Sequence, residues 1–280
     1  ITLVNNGDAV PVIFELGLYE QFGNAGFALS QSGRFIYVSG SLTGESAISQ
    51  PPILVSRLGD ERVIGINDQF FIWPQFDPSG ENLALVEFSV AEGGFDVWLY
   101  NFNSQTLGRR TFDGESSRQI WSEDGERLIY RCGTNNLCTT AANGTDTPST
   151  LVEGLRLPTP YAQLDDAKLI VGIGAPEQIH IMDSSADAET LLTNLELSPS
   201  ENKEARLSQD QKWLAYSSDE TGRKEIYVRP FPDVETGKWQ VSRQGGSFPI
   251  WNQASNEIIW WSPETDQARN YSFIEISIEK

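Results

Sequence analysis

The sequence has a single histidine, one methionine and only two cysteines. One imidazole without a cysteine cluster excludes a histidine-rich zinc or iron site and a Ser-His-Asp triad. That histidine, His180, sits in Gln178-Ile179-His180-Ile181-Met182, where alternation sets it opposite two isoleucines on a strand. Basic residues are also scarce: 20 stand against 39 acidic ones, for a net charge of −19. A surface of that sign repels phosphate, so nucleic acid is not expected as a partner. It leaves open a basic peptide or a cation, and equally plain solvation in a salty or crowded medium. No apolar run reaches the length of a membrane span, and no basic segment followed by an apolar one opens the chain, so direct membrane insertion is not expected. Also missing are a Gly-x-Ser-x-Gly elbow, a phosphate-binding glycine loop and a dinucleotide fingerprint. The first residue is Ile1 rather than Met. That reads as a processed chain or a piece of something longer, whose parent protein could be membrane-anchored.

What is present repeats. A turn residue recurs, preceded by four positions by an apolar or small side chain and followed by three by another apolar one. The frame fits Gly33, Gly80, Gly125, Asp166, Gln211 and Ser255, at separations of 47, 45, 41, 45 and 44 residues. That interval of about 44 is the period of a four-stranded propeller blade. Pro74, Pro160 and Pro249 each stand six residues before their turn, at the start of the innermost strand, where a missing amide is tolerated. Asp77-Pro78-Ser79-Gly80 and Glu123-Asp124-Gly125 supply hairpin chemistry. An ordinary β-sandwich shows short strands and turns too, but has no reason for a long constant period. The expected fold is all-β: one six-bladed β-propeller of four-stranded antiparallel blades over residues 1–280. Residues 26–66 make the first blade, with an insertion at residues 41–51. The last repeat has room for three strands, 249–251, 257–261 and 271–278. The N-terminal strand is therefore expected to close the ring, since an open blade would leave an exposed edge.

In such a ring the loops joining successive blades share a face with the hairpins between second and third strands. That face is expected to carry Phe70, Phe71, Trp73, Glu87, Arg118, Arg131, Tyr161, Arg206, Asp219 and Trp261. Aromatic and arginine side chains are enriched in binding hot spots, although every blade also needs aromatics for packing. Cys132 and Cys138 flank a turn between second and third strands, where they are either joined as a disulfide or two free thiols. Propeller glycosidases and lactonases work with carboxylates, with or without calcium. Here Asp165-Asp166 and Asp124 with Glu126 fall on hairpin turns of the opposite face, and Asn143-Gly144-Thr145 reads as a turn.

The segments Phe27-Ala28-Leu29-Ser30-Gln31-Ser32-Gly33, Asp77 to Gly80, Glu225-Ile226-Tyr227-Val228-Arg229-Pro230-Phe231-Pro232 and Gly237-Lys238-Trp239-Gln240-Val241-Ser242 resemble the TolB-type, WD-like propeller repeats of bacteria. The similarity is greatest to propellers fused behind the membrane span of bacterial serine/threonine kinases, and smaller to those on winged-helix membrane regulators. The resemblance implies a six-bladed, non-catalytic sensing or binding module, in many members outside the cytoplasm. It implies recognition of a protein, peptide or small ligand, and it carries over no catalytic residue, cofactor or metal. This sequence departs from the pattern at Asp166, Gln211 and Ser255, where the turn glycine is replaced and looser hairpins are expected. The alternative is a carboxylate- or calcium-dependent propeller hydrolase.

Overall fold

The computed structural model describes residues 2–5, 18–19, 24–38, 40–43, 46–49, 51–56, 60–66, 69–89, 93–252, 257–261 and 276–279. They form strands and turns, with one short 3-10 turn at Val234–Thr236 and no α-helix among the described residues. The chain divides into two compact units. The first is Leu16–Asp166; the second is Ala167–Lys280 together with Ile1–Glu15.

Strand β1 (Thr2–Asn5) belongs to the second unit. The first unit opens with the short pair β2 (Leu18–Tyr19) and β3 (Asn24–Ala25). Its first sheet is β4 (Phe27–Leu29), β5 (Phe35–Tyr37), β8 (Ile53–Val55) and β9 (Glu61–Val63), and between β5 and β8 lies a separate hairpin, β6 (Gly40–Thr43) with β7 (Ser46–Ser49). The insertion read from residues 41–51 thus makes its own two-stranded ladder. The second sheet is β10 (Phe71–Phe76), β11 (Asn82–Ser89), β12 (Gly94–Asn101) and β13 (Thr106–Arg109). The third is β14 (Ser116–Trp121), β15 (Arg127–Cys132), β16 (Asn136–Ala141) and β17 (Ser149–Val152). The fourth is divided by the unit boundary, with β18 (Thr159–Gln163) at the end of the first unit and β19 (Lys168–Ile173), β20 (Gln178–Asp183) and β21 (Leu192–Asn194) belonging to the second. The second unit continues with β22 (Asn202–Leu207), β23 (Trp213–Ser218), β24 (Glu225–Pro230) and β25 (Trp239–Gln240), and then β26 (Ser247–Asn252), β27 (Glu257–Trp261) and β28 (Ile276–Glu279).

This is an all-β propeller, but among the described residues it has five four-stranded blades, and the expectation of six is corrected. Among the described residues the repeat beginning near Phe248 has β26 and β27, paired as a two-stranded sheet, and β28 pairs antiparallel with β1 in another. The repeat period locates the hairpin that starts a blade, but a blade also needs two further strands laddered onto it. The turn at Ser255 and the strand start at Tyr271 fall outside the described residues.

Within each blade, burial falls from the inner strands outward. The second strands are apolar almost without alternation, because neighbouring sheets cover both their faces. Leu83, Ala84, Leu85 and Val86 of β11 are fully buried, as are Leu214, Ala215 and Tyr216 of β23. The outer strand β9 is exposed throughout. Each such buried Leu, Ile or Val stabilises by roughly 1.5–3 kcal/mol, so the second strand anchors its blade. Packed blades are also stitched by indoles: Trp121 donates to the Gln75 carbonyl at 3.1 Å in the first unit, and Trp251 to the Arg206 carbonyl at 3.0 Å in the second. Both tryptophans stand four residues before their reference turn.

The hairpin that opens the blade is the same object in four of the five four-stranded blades. Ser30, Asp77, Ser122 and Ser208 each take a backbone bond from the turn residue three positions on. Their side-chain oxygens accept from the amides of Arg34, Asn82, Arg127 and Trp213 at 2.9 to 3.0 Å. Gln211 holds the left-handed φ of 54° where Gly80 and Gly125 hold 73°, and its bond to Ser208 is 2.9 Å against 3.0 and 2.9 Å. The hairpin at Gln211 is therefore no looser than its glycine counterparts; the cost is borne by the backbone torsion instead.

One repeated feature had no compositional signal. The ladder slips between Ile72 and Gln75, Ser117 and Ile120, Lys203 and Arg206, and Ser247 and Ile250. Inside each bulge one residue takes a left-handed φ: Trp73 at 52°, Arg118 at 56°, Glu204 at 60° and Phe248 at 57°. Each stands seven residues before its reference turn. Pro74 and Pro249 lie within these bulges rather than at a strand start, where the missing amide removes no ladder bond.

Candidate functional site

In the first unit the bulges of β10 and β14 lie side by side: the Gln119 amide donates to the Trp73 carbonyl at 2.6 Å, and the Arg118 guanidinium sits 5.2 Å over the Trp73 ring. A row of rings leads away from that pair. Trp73 tilts against Phe95 at 6.0 Å, Phe95 against Phe88 at 5.0 Å, and Phe88 meets Phe70 edge-on at 6.3 Å. Phe71 lies edge-on to Trp98 at 6.4 Å and is only 2% exposed. Phe70, Phe71 and Trp73 are therefore core residues, while Phe88 and Phe95, half-buried at the end of the β11–β12 hairpin, reach towards solvent.

Glu87 pairs in register with Phe71 on one side and Asp96 on the other. Burial pushes its carboxyl above the ordinary glutamate range; the Trp98 indole and the charge of Arg109 pull the other way, and Asp96 adds to the rise. Asp96 is buried and fully committed: it pairs with Arg109 and accepts from the Thr111 hydroxyl at 2.8 Å, while Thr111 in turn accepts from the Val97 amide. Arg131 is half-buried and donates to the Ser117 hydroxyl at 3.3 Å, and Tyr161 is buried on β18. Cys132 and Cys138 are joined by a disulfide across the β15–β16 hairpin, with Cα atoms 5.8 Å apart.

In the second unit Arg206 turns back to the Ala205 carbonyl at 2.9 Å, Asp219 is exposed and accepts from the Glu201 amide at 3.0 Å, and Trp261 is half-buried at the end of β27. Glu204, in its bulge, is buried and clips two blades by accepting from Ser217 at 2.8 Å and from the Phe248 amide at 2.7 Å. Around it stand Glu201, Lys203 and Lys224. Lys203 pairs with Glu201 at 2.8 Å; burial opposes its charge, but the two glutamates outweigh it and raise its pKa. Lys224 goes the other way, lowered by burial and by the charge of Lys203. Glu225 repeats the Asp96 device: it accepts from the Ser242 hydroxyl and the Gly245 amide, pairs with Arg223, and the Ile226 amide donates to Ser242.

The buried carboxylates Asp77, Asp96 and Glu225 thus hold turns and strands together. Asp124 sits in a turn, accepting from Ser122 and the Glu126 amide and held below the ordinary aspartate range by those bonds, and Asn143 closes its own turn on Thr145. Among the described residues no group of three or more His, Cys, Asp or Glu is placed to hold a metal ion. His180, half-buried on β20 beside the buried Ile179, donates its Nδ1–H to the Gln178 carbonyl at 3.0 Å. Sequence reasoning missed Phe88, Phe95, Arg109 and Phe112 on the loop face; Phe88 and Phe95 carried a signal, since they are aromatics in cross-strand register at a hairpin tip.

No family model and no curated relative matches the chain. Among solved structures it is similar to a putative TolB from Agrobacterium tumefaciens, with 16% identity and a TM-score of 0.62 over 74% of this chain and 75% of that one. It is also similar to TolB from Acinetobacter baumannii, at 14% identity and a TM-score of 0.57 over 81% of this chain and 61% of that one. The β-propeller domain of the Trilobed protease from Pyrococcus furiosus aligns at 9% identity with a TM-score of 0.58, covering 88% of this chain and 92% of that one. At these identities the likeness is one of fold, that of a TolB-like β-propeller.

Proposed function

We propose that this chain is a non-catalytic recognition module that binds a protein, peptide or small ligand on its loop face. One observation carries the reading: the buried acids are spent on structure, while on the loop face the half-buried Phe88 and Phe95 stand beside Arg118, which a bulge holds over the buried Trp73 ring. Asp96 and Glu225 have their oxygens occupied by hydroxyl, amide and guanidinium donors, so neither is poised as an acid or base. The Trp73–Arg118 stack beside the half-buried Phe88 and Phe95 supplies the residue types that dominate binding energy. Work outside the cytoplasm belongs to the same proposal, and it rests on the sequence resemblance; among the described residues no helix is long and apolar enough to cross a membrane.

The resemblance to kinase-fused propellers is carried by residues 225–232 and 237–242, and the parent protein it proposes is checked by reading the gene that encodes the chain. Much of that motif has a structural cause. Arg229 is buried and spends its guanidinium on Tyr216 at 3.1 Å, the Val234 carbonyl at 2.7 Å and the Leu197 carbonyl at 2.6 Å.

The test pairs two measurements. Immobilised chain is expected to retain a partner from extracts of its own source, and Arg118→Ala with Arg131→Ala to release it. Hydrolysis of glycosides or lactones by the purified chain, with or without added calcium, would overturn the reading in favour of a hydrolase.

A further inference from the structure

The loop that joins the second blade to the third, between β13 and β14, is tied down on every side. Thr111 is fully buried and bonded to Asp96. Gly114 gives its carbonyl to the Phe95 amide at 2.8 Å, and Glu115 gives its carbonyl to Gly133 at 3.0 Å. Asp113 accepts from the Glu115 amide at 2.9 Å and from the Ser116 hydroxyl. A Cβ on Gly94 would stand 2.7 Å from the Gly114 carbonyl oxygen, so the loop and the β11–β12 hairpin are in backbone contact.

From this fixed loop Phe112 projects with 74% of its surface exposed, against 58% for Val63, the other large exposed hydrophobic among the described residues. Isolated apolar side chains at a surface are ordinary. This one differs in being braced: the Arg109 guanidinium lies 5.1 Å from the ring centroid. Arg109 is itself held by Asp96 and by the Thr111 carbonyl at 2.8 Å, so its charge is matched and its position set. An aromatic ring supported from beneath on a bonded loop has little freedom left to lose when a partner arrives. The exposed acids Asp113 and Glu115 flank it on the same loop, in a chain of net charge −19.

We infer that Phe112, with Asp113 and Glu115, is the anchor point for a basic segment of a partner protein, whose lysine or arginine side chain stacks on the open face of the ring. The ring quadrupole attracts a cation, and the flanking carboxylates select the same sign. The inference rests on the recognition reading above and narrows it to one loop and one partner chemistry.

The experiment uses the full chain and fluorescein-labelled decalysine, read by anisotropy, with labelled decaglutamate as the control. Decalysine is expected to bind, more weakly as salt rises, and decaglutamate not to bind. Phe112→Ser leaves every charge in place and is expected to weaken decalysine binding about three- to fivefold, the scale of one exposed cation–π contact. Glu115→Gln is expected to weaken it as well, and Val63→Ser to leave it unchanged. Equal binding by wild type and Phe112→Ser would overturn the inference, since adhesion to an acidic surface does not depend on the ring. Failure of decalysine to bind at all would also overturn it. Neither result touches the recognition reading, which stands or falls with Arg118 and Arg131 and the extract measurement.

Discussion

At the scale of single residues, burial and pairing give two titrations with opposite signs. Glu87 has a raised pKa because burial penalises its charge, so the folded chain holds its proton more tightly than the unfolded chain. The stability this confers is complete below the ordinary glutamate range and is lost as pH rises through the raised folded value. Glu87→Gln is accordingly expected to melt at a higher temperature than wild type near neutral pH, with the gap closing in acid; thermal unfolding across pH measures it. His180 is the reverse case, its pKa lowered by burial despite the Gln178 carbonyl. Its stability is present above the ordinary histidine value of about 6.5 and is lost as pH falls through the lowered folded value. Because the chain has one histidine, a single imidazole signal in a proton NMR titration reads it directly, and a midpoint at or above the ordinary value would refute the assignment. Such residue-scale properties were only partly legible beforehand. Trp73, Glu87 and Arg118 were marked by type on the expected face, whereas Phe112 lies between Thr111 and Asp113 in a short connection, and nothing in those letters says which way the ring points. Phe71 failed for the opposite reason: an aromatic on a strand serves equally as core or contact, and only the neighbouring Trp98 decides it.

At the scale of strands and hairpins, the legible part was the part made by local chemistry. The Ser or Asp that receives the bond from each turn residue is fixed by chain neighbours, so Ser30, Asp77, Ser122 and Ser208 announce their hairpins in one sequence. The bulges at Trp73, Arg118, Glu204 and Phe248 did not announce themselves, because a slipped register is a property of two strands and none of these residue types favours a left-handed φ. The same distinction explains the count of blades. A turn can be read locally, but whether a third and fourth strand add to it depends on competition for their ladders, and β28 is laddered to β1. Arg229 offers a test at this scale. A lysine there keeps the charge yet reaches one carbonyl rather than Tyr216, Val234 and Leu197 together, leaving buried acceptors unpaired. Arg229→Lys is expected to lose about 3 kcal/mol of unfolding free energy in urea titration. A loss below about 1 kcal/mol would mean that the three bonds are not what holds β24 to its surroundings.

At the scale of the whole chain, net charge dominates. An excess of 19 negative charges repels itself in the compact state, and mobile ions screen that repulsion beyond roughly 8 Å at physiological ionic strength. The melting temperature is expected to rise with sodium chloride over the range where screening grows, and a fall would show that attractive pairs such as Arg223–Glu225 outweigh the repulsion. The bulges have a consequence here as well. At one backbone location, in four of the repeats, the molecule carries an indole, a guanidinium, a carboxylate and a phenyl group. The torsion there is what glycine tolerates best, yet none of the four is glycine. The bend is therefore set by the ladder and not by the side chain it carries, so each repeat is free to use the position for a different contact, an indole under a guanidinium in one and a carboxylate bridging to the next blade in another.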